Sequence, residues 1–206
     1  MDIKSIYNSI SKEFSDSRYR VWSAVKNFLN SIPIHTLNAD IGCGNGKNMK
    51  YRPELNFIGL DISDELILIC RKSNLNVIQG NILSIPFNSN TYDNVISIAV
   101  IHHLKTIQER ILAIDELIRI TKVGGRILIY VWASEQPENS NRKFITQDVL
   151  VPYKLKTGEV FDRFYHVYKY GELENEIMQT VNNKCIETEI VGYELGNHYV
   201  VLRKIK

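Results

Sequence analysis

The sequence predicts an α/β protein with a doubly wound, mostly parallel sheet and helices on both faces. Three observations carry that prediction. Short apolar runs alternate with helical patterns from Leu37 to Trp132, the rhythm of repeated strand–helix–strand units. The run at 95–101 is apolar almost throughout, as befits a strand buried on both faces. The first strand ends in a glycine-rich turn, at the carboxyl edge where such sheets bind ligands. A chain of 206 residues suits one domain over 1–206 with a full core.

Each element follows from local pattern. Residues 2–32 read as two helices carrying an aromatic and basic set: Tyr7, Phe14, Arg18, Tyr19, Arg20 and Trp22. Leu37–Ile41 is the first strand, and 57–60 is the second, ending at Asp61. Asp64–Lys72 is a helix with Ser63 as its cap. The third strand falls at 76–79 and the fourth at 95–101. Over 107–121, Ile107, Ile111, Ile114, Leu117 and Ile118 share one helical face. That helix is expected to stop before Gly124-Gly125, which separate it from a fifth strand at 126–131. The segment 133–170 has no clear period and is expected to be a loop-rich cover. A helix follows at 171–181. Two strands within 184–205, turning near 192–197, are expected to complete a seven-stranded sheet with an antiparallel C-terminal strand.

Composition excludes several classes. No stretch of 18 apolar residues exists, so no helix is expected to span a membrane. The start, MDIKSIYNSISKEF, has charges where a secretory signal needs an apolar run; a cytoplasmic protein is expected, with the nucleus also open. Three cysteines (Cys43, Cys70, Cys185) without a CxxC pair argue against a zinc site or a disulfide framework, and no metal site is expected. A net charge of +2 excludes a uniformly basic nucleic-acid binder but not a local basic patch.

The glycine turn reads Asp40-Ile41-Gly42-Cys43-Gly44-Asn45-Gly46, and Asp61 ends the next strand 19 residues after Gly42. Glycines let the backbone turn tightly and approach a ligand closely. A carboxylate at the end of the second strand can accept both hydroxyls of a ribose. A nicotinamide site would want GxGxxG; here an acidic residue stands two before the first glycine. The string resembles motif I of the class I S-adenosylmethionine methyltransferases, whose ligand is a sulfonium amino acid without phosphate. The resemblance implies S-adenosylmethionine as cofactor, held by Asp40, Gly42, Cys43, Gly44, Gly46, Asp61, Ile62, Asn81, Ile82, Ala99 and His102. Asn81 stands where such enzymes usually place an acidic residue near the adenine amino group; its amide oxygen still accepts, without charge.

The second half of the pattern narrows the family. It consists of Ser97-Ile98-Ala99-Val100-Ile101-His102-His103-Leu104, then Glu116-Leu117-Ile118-Arg119, then Ile129-Tyr130-Val131-Trp132-Ala133-Ser134-Glu135-Gln136. With Phe14-Ser15-Asp16-Ser17-Arg18 upstream and Arg163-Phe164-Tyr165-His166 downstream, the chain resembles the eukaryotic wobble-uridine tRNA carboxymethyl methyltransferases over nearly its whole length. Such enzymes methylate the carboxylate of 5-carboxymethyluridine in tRNA and work with a small zinc-binding activator protein. Two departures stand out. Arg163 follows Gln136 by only 27 positions, where relatives often carry a long charged insertion. Gly196-Asn197-His198 stands where relatives tend to show an aromatic after the asparagine.

The resemblance implies roles for individual residues. Arg18, Arg20 and Arg163 are candidates to hold carboxylate or phosphate, which guanidinium matches in geometry. Arg18 and Arg163, with His102 nearest the reaction, form the expected catalytic set. Trp132 and Tyr7 are expected to stack on the uracil, Tyr165 and His166 to complete that wall, and Asn197 to bond the base edge. Strand order should leave the third strand outermost, so Leu75, Val77 and Ile78 are the expected contact for the activator. Two other functions remain open at this point: a methyltransferase acting on a small-molecule acid or phenol, and a catalytically silent subunit that binds RNA or a partner.

Overall fold

The computed structural model describes all 206 residues. Two helices, α1 (Ile3–Ser17) and α2 (Ser23–Asn30), precede the sheet. Then come β1 (Leu37–Ile41), α3 (Lys47–Tyr51), β2 (Asn56–Asp61), α4 (Asp64–Lys72), β3 (Val77–Gln79) and β4 (Tyr92–Ile98). They are followed by α5 (Ile107–Ile120), β5 (Thr121–Trp132), β6 (Asp148–Lys154) and β7 (Val160–His166). The chain closes with α6 (Glu172–Met178), β8 (Ile186–Tyr193) and β9 (Asn197–Lys204). Seven strands form one sheet in the order β3-β2-β1-β4-β5-β9-β8, and only β9 runs against its neighbours. No helix is long and apolar enough to cross a membrane.

Alternation along β5 shows how the sheet divides two cores. Ile127, Ile129 and Val131 face the layer of α5 and α6, with Ile114, Leu117, Leu173 and Ile177. Leu128 and Tyr130 face the opposite layer, with Val25, Phe28 and Leu29 of α2 and Ile67 and Cys70 of α4. Period-2 side chains on a strand buried on both faces need this double cover. Caps fix the helix starts. The Ser63 oxygen accepts the Leu66 N–H, and Thr106 with Glu109 makes a reciprocal capping box at the head of α5.

Four expected boundaries move. β5 begins at Thr121, five residues early, and runs through Gly124-Gly125. The glycines make a bulge rather than a break: Gly124 has φ +82°, and a Cβ on Gly125 would meet the Asp93 carbonyl oxygen at 2.8 Å. β4 covers Tyr92–Ile98 instead of 95–101; Ala99 at φ +62° turns the chain into a 3₁₀ turn, Ile101–His103. An apolar run does not by itself say where a buried strand gives way to a buried turn. The helix expected at 171–181 is confined to Glu172–Met178. The cover at 133–170 is not merely loop: β6 and β7 pair there as an antiparallel hairpin outside the main sheet. Pro152 inside β6 argues against a strand, but it sits in a two-stranded ribbon on an exposed stretch, where its missing N–H costs little.

β3 is outermost, as expected. Its side chains are less available than its backbone. Val77 is buried, and Leu75 packs with it in the α2–α4 core. Ile78 packs into the other core.

Candidate active site

The turn after β1 is shaped by hydrogen bonds that only a close-packed backbone permits. The N–H groups of Gly42 and Cys43 both donate to the Leu60 carbonyl, at 2.6 and 2.9 Å. Gly42 has φ +83°, and a Cβ there would lie 2.2 Å from Val100 Cγ2. The two carboxylate oxygens of Asp61 tie this turn to α4: Oδ2 accepts the Gly44 N–H at 2.8 Å and Oδ1 accepts the Ser63 N–H at 2.9 Å. Burial raises the Asp61 pKa, against the lowering effect of those N–H groups. Remaining lone pairs on both oxygens stay open for hydroxyls, because a carboxylate has about four acceptor sites.

A cavity of about 590 Å³ opens beside this turn. Gly42, Cys43, Gly44, Asp61, Ile62, Asn81, Ile82, Ala99 and His102 all line it. Asp40 and Gly46 do not; they lie beneath. Gly46 backs onto Leu75. Asp40 is fully buried with both carboxylate oxygens unbonded, and burial pushes its pKa up to about 7, with the Asp61 charge adding to the rise and Asn48 opposing it. The Asn81 oxygen accepts the Leu83 N–H at 3.0 Å, so only one of its lone pairs is left for an adenine amino group.

The rest of the cavity wall is aromatic and basic. Tyr7, Arg18, Arg20, His102, His103, Trp132, Arg142, Arg163, Tyr165 and Asn197 line it. Both histidines face the cavity, although adjacent residues on an extended strand would point apart; the 3₁₀ turn brings them to one side. His102 Nδ1 accepts the Trp132 N–H at 3.1 Å. Burial, with the positive charge of Arg163 adding to it, holds the His102 pKa well below its ordinary value. The ring is therefore neutral with its proton on Nε2, which has no partner in the chain. His103 Nδ1 donates to the Phe164 carbonyl at 2.8 Å and its Nε2 accepts from the Tyr7 hydroxyl at 2.9 Å; burial pushes its pKa down to about 4.

Arg163 is 4% exposed, and its Nε has no hydrogen-bond partner. It rests on the rings of Tyr153 and Tyr165, at 5.1 and 5.3 Å. Arg52, Arg110, Arg119, Arg126 and Arg203 each pair with a carboxylate. Arg18, Arg20, Lys47, Arg142 and Arg163, which line the cavity, pair with none, and Asp61 is the sole acidic residue in that lining. Such an excess of unpaired cations suits an anionic ligand. Asn197 also contributes an unpartnered buried oxygen.

Two expectations need correction. His166 is not in the cavity wall: on β7, Arg163 and Tyr165 face the cavity, and period 2 sends His166 to the other side. There it bonds Asp148 at 2.6 Å and Glu172 at 3.0 Å. Burial opposes protonation, but the two carboxylates outweigh it and raise the His166 pKa. His166, Glu172 and Glu176 bring ligating atoms within 4.8 Å of one another; Glu176 is taken by Arg110 and Tyr168, so the cluster clamps the hairpin to α6. Trp132 lines the cavity, but its ring is occupied: Tyr165 stacks on it at 4.2 Å and Arg142 lies over it at 4.0 Å. Neither face is open to a uracil.

Sequence reasoning missed Arg142, Lys47 and His103. Arg142 sits in an aperiodic loop with nothing but its charge to mark it. Lys47 follows the glycine turn directly and lies over Trp22 at 4.6 Å.

Comparison with known proteins agrees with this geometry. Residues 39–129 match the family model described as a methyltransferase domain. The chain is 36% identical to the tRNA (carboxymethyluridine(34)-5-O)-methyltransferase of Schizosaccharomyces pombe, over 98% of this chain and 96% of that one. The chain belongs to this family. The Mus musculus member, ALKBH8, is 42% identical over 98% of this chain, but the match covers only 44% of that longer protein. Solved structures share the family's fold at low identity. A methyltransferase in complex with the Haloferax volcanii Trm112 methyltransferase activator superposes with TM-score 0.70 at 14% identity, covering 100% of this chain and 98% of that one. DhpI, in a complex with SAM and HEP, gives 0.72 at 16% identity, covering 97% and 94%.

Proposed function

We propose that the chain transfers a methyl group from S-adenosylmethionine to the carboxylate of 5-carboxymethyluridine at the tRNA wobble position, giving the methyl ester. Family membership supports the reaction class. The observation that carries the substrate chemistry is Arg163, a buried guanidinium without a carboxylate partner, in the wall of the cavity that Asp61 also lines.

The residues present fit the cofactor. Gly42 leaves a cradle with no room for a side chain, Asp61 offers lone pairs to ribose hydroxyls, and Asp40 is an orphaned carboxylate beneath the turn. Bound there, S-adenosylmethionine supplies an electrophilic methyl group on a sulfonium sulfur.

The acceptor carboxylate is already anionic at neutral pH, so no residue has to remove a proton. Its oxygen forms the new O–C bond while the C–S bond breaks, and the bond electrons neutralise the sulfonium. Arg163 holds and orients the carboxylate, and the neutral His102 offers its Nε2 hydrogen beside the reacting oxygen. Tyr7 and Tyr165 wall the site against water. Alignment in a dry pocket of this kind contributes several kcal/mol or more.

The same reading includes a small zinc-binding activator as partner. The Haloferax volcanii neighbour was solved with a methyltransferase activator, Trm112, and β3, outermost in the sheet, offers a main-chain edge. Because Leu75, Val77 and Ile78 pack inward, that contact is through backbone pairing rather than through their side chains.

The test is incubation with methyl-labelled S-adenosylmethionine and tRNA lacking the ester, with and without the activator. Base-labile label on the wobble nucleoside is expected. Label confined to small acids, or cofactor binding without transfer, refutes the reading.

A further inference from the structure

We infer that Arg142 forms a phosphodiester subsite at the mouth of the cavity, holding the backbone of the nucleotide whose base enters. The inference rests on the carboxylate reading above and goes beyond it. One carboxylate carries one charge, and a single guanidinium satisfies it in a two-pronged pair. The cavity holds three arginines close enough to influence one another: the positive charges of Arg18 and Arg163 both bear on Arg142. None of the three donates a side-chain hydrogen bond to the chain or meets a carboxylate. Arg163 accounts for the substrate carboxylate. Arg18, whose backbone carbonyl accepts the Asn45 amide of the glycine turn at 2.9 Å, stands on the side of the cofactor, which carries a carboxylate of its own. Arg142 is left without an anion.

Depth says which anion Arg142 suits. Arg163 is buried, Arg18 is half-buried and Arg142 is exposed. A nucleotide that enters base first orders its charges in the same way. The carboxylate on C5 leads, and the phosphodiester, attached through the sugar at N1, trails at the mouth. Arg142 is also held in a manner that leaves its donors free. Its guanidinium lies over Trp132 at 4.0 Å while Tyr165 stacks on the same indole at 4.2 Å. Contact through the flat face fixes the group and leaves the N–H edge for an oxyanion. With both indole faces taken, Trp132 serves as a mount for Arg142 rather than as a shelf for the base.

The full chain with activator and S-adenosylmethionine is offered two acceptors, 5-carboxymethyluridine and its 3′,5′-bisphosphate. In parallel, anisotropy follows a labelled single-stranded anticodon-loop oligonucleotide carrying the same base across a salt series. Wild type is expected to prefer the bisphosphate about tenfold in kcat/KM, the scale of one charge-assisted contact. Arg142→Ala brings that preference to about twofold or less and lowers the log–log salt slope by about 0.7, one phosphate on a single strand. Arg142→Lys keeps most of both, which separates charge from structural damage. An equal preference in Arg142→Ala and wild type, with the same salt slope, overturns the subsite. Arg142-dependent oligonucleotide binding without methyl transfer supports the subsite while removing the carboxylate reading, and ester formation indifferent to Arg142 does the reverse.

Discussion

Replacing Arg163 by Met should make the free protein more stable and the enzyme nearly inactive. The side chain is 4% exposed, its Nε is unbonded, and no carboxylate faces it. Taking a cation out of water costs several kcal/mol even after relaxation. What offsets that cost here is contact with the rings of Tyr153 and Tyr165, about 1–2 kcal/mol each when desolvated. Methionine fills similar volume without the charge, so a net gain of about 1 kcal/mol is expected, or roughly 2–4 °C in Tm for a chain of this size. The same substitution removes the charge-assisted pair to the substrate carboxylate, worth about 3–4 kcal/mol, so kcat/KM should fall about 100- to 1,000-fold. Thermal melts without ligands and initial rates of base-labile ester formation read the two effects separately. A Tm that drops by several degrees, or a rate within threefold of wild type, refutes the claim that Arg163 waits unpaired for an anion.

Further substitutions probe the remaining parts. Gly42→Ala forces a Cβ to within 2.2 Å of Val100 Cγ2 at φ +83°; titration calorimetry should show cofactor affinity reduced at least tenfold. Asp40 titrates at about 7 in the fold and at about 4 unfolded. Between those values the folded state keeps a proton that the unfolded chain has released, so stability falls as pH rises through that window. Asp40→Asn should therefore raise the Tm of the free protein at pH 8, with the gain vanishing toward pH 4, while weakening cofactor binding. Because His102 is held neutral, kcat should show no limb of histidine origin between pH 6 and 8; a limb there that disappears in His102→Gln would contradict its role as a donor. Glu176→Ala breaks the buried 2.7 Å pair with Arg110, a loss of about 3–5 kcal/mol that should lower Tm by roughly 6–20 °C.

How far the sequence foretold this molecule depends on the kind of signal each part carries. The cofactor site was legible because its constraints are local: Gly42 must turn where no side chain fits, Gly44 takes a left-handed φ of +56°, and Asp61 must close the next strand. Elements with a strong period, such as α4 and α5, declared their caps and faces. The hairpin β6–β7 did not, because Pro152 interrupts the first strand and its alternation marks a ribbon rather than a core. That omission has a direct consequence at the site. Without a strand at Val160–His166, nothing told Arg163 and Tyr165 apart from His166, and period 2 is what sends the histidine to the other side. Arg142 was hidden for another reason: its place over Trp132 is a tertiary contact between a loop and a strand end, with no trace in spacing.

The charge pattern of the cavity bears on how much each contact can accelerate the reaction. A sulfonium and a carboxylate become neutral products, so both charges fade as the transition state forms. An arginine that grips the carboxylate through both oxygens stabilises the starting charges more than the fading ones, and only stabilisation that grows along the path raises the rate. The arrangement here eases that conflict. Asp61 and the unpaired arginines line one cavity, Asp40 lies beneath it, and the two histidines of its wall, His102 and His103, are neutral. A neutral Nε2–H beside the transferring oxygen costs less as that oxygen loses charge than a guanidinium would. Arg163 then serves binding and orientation from the deeper side, leaving catalysis to geometry and dryness. A charged His102 would oppose both the cation at its back and the reaction in front of it, and burial with the Arg163 field is what prevents it.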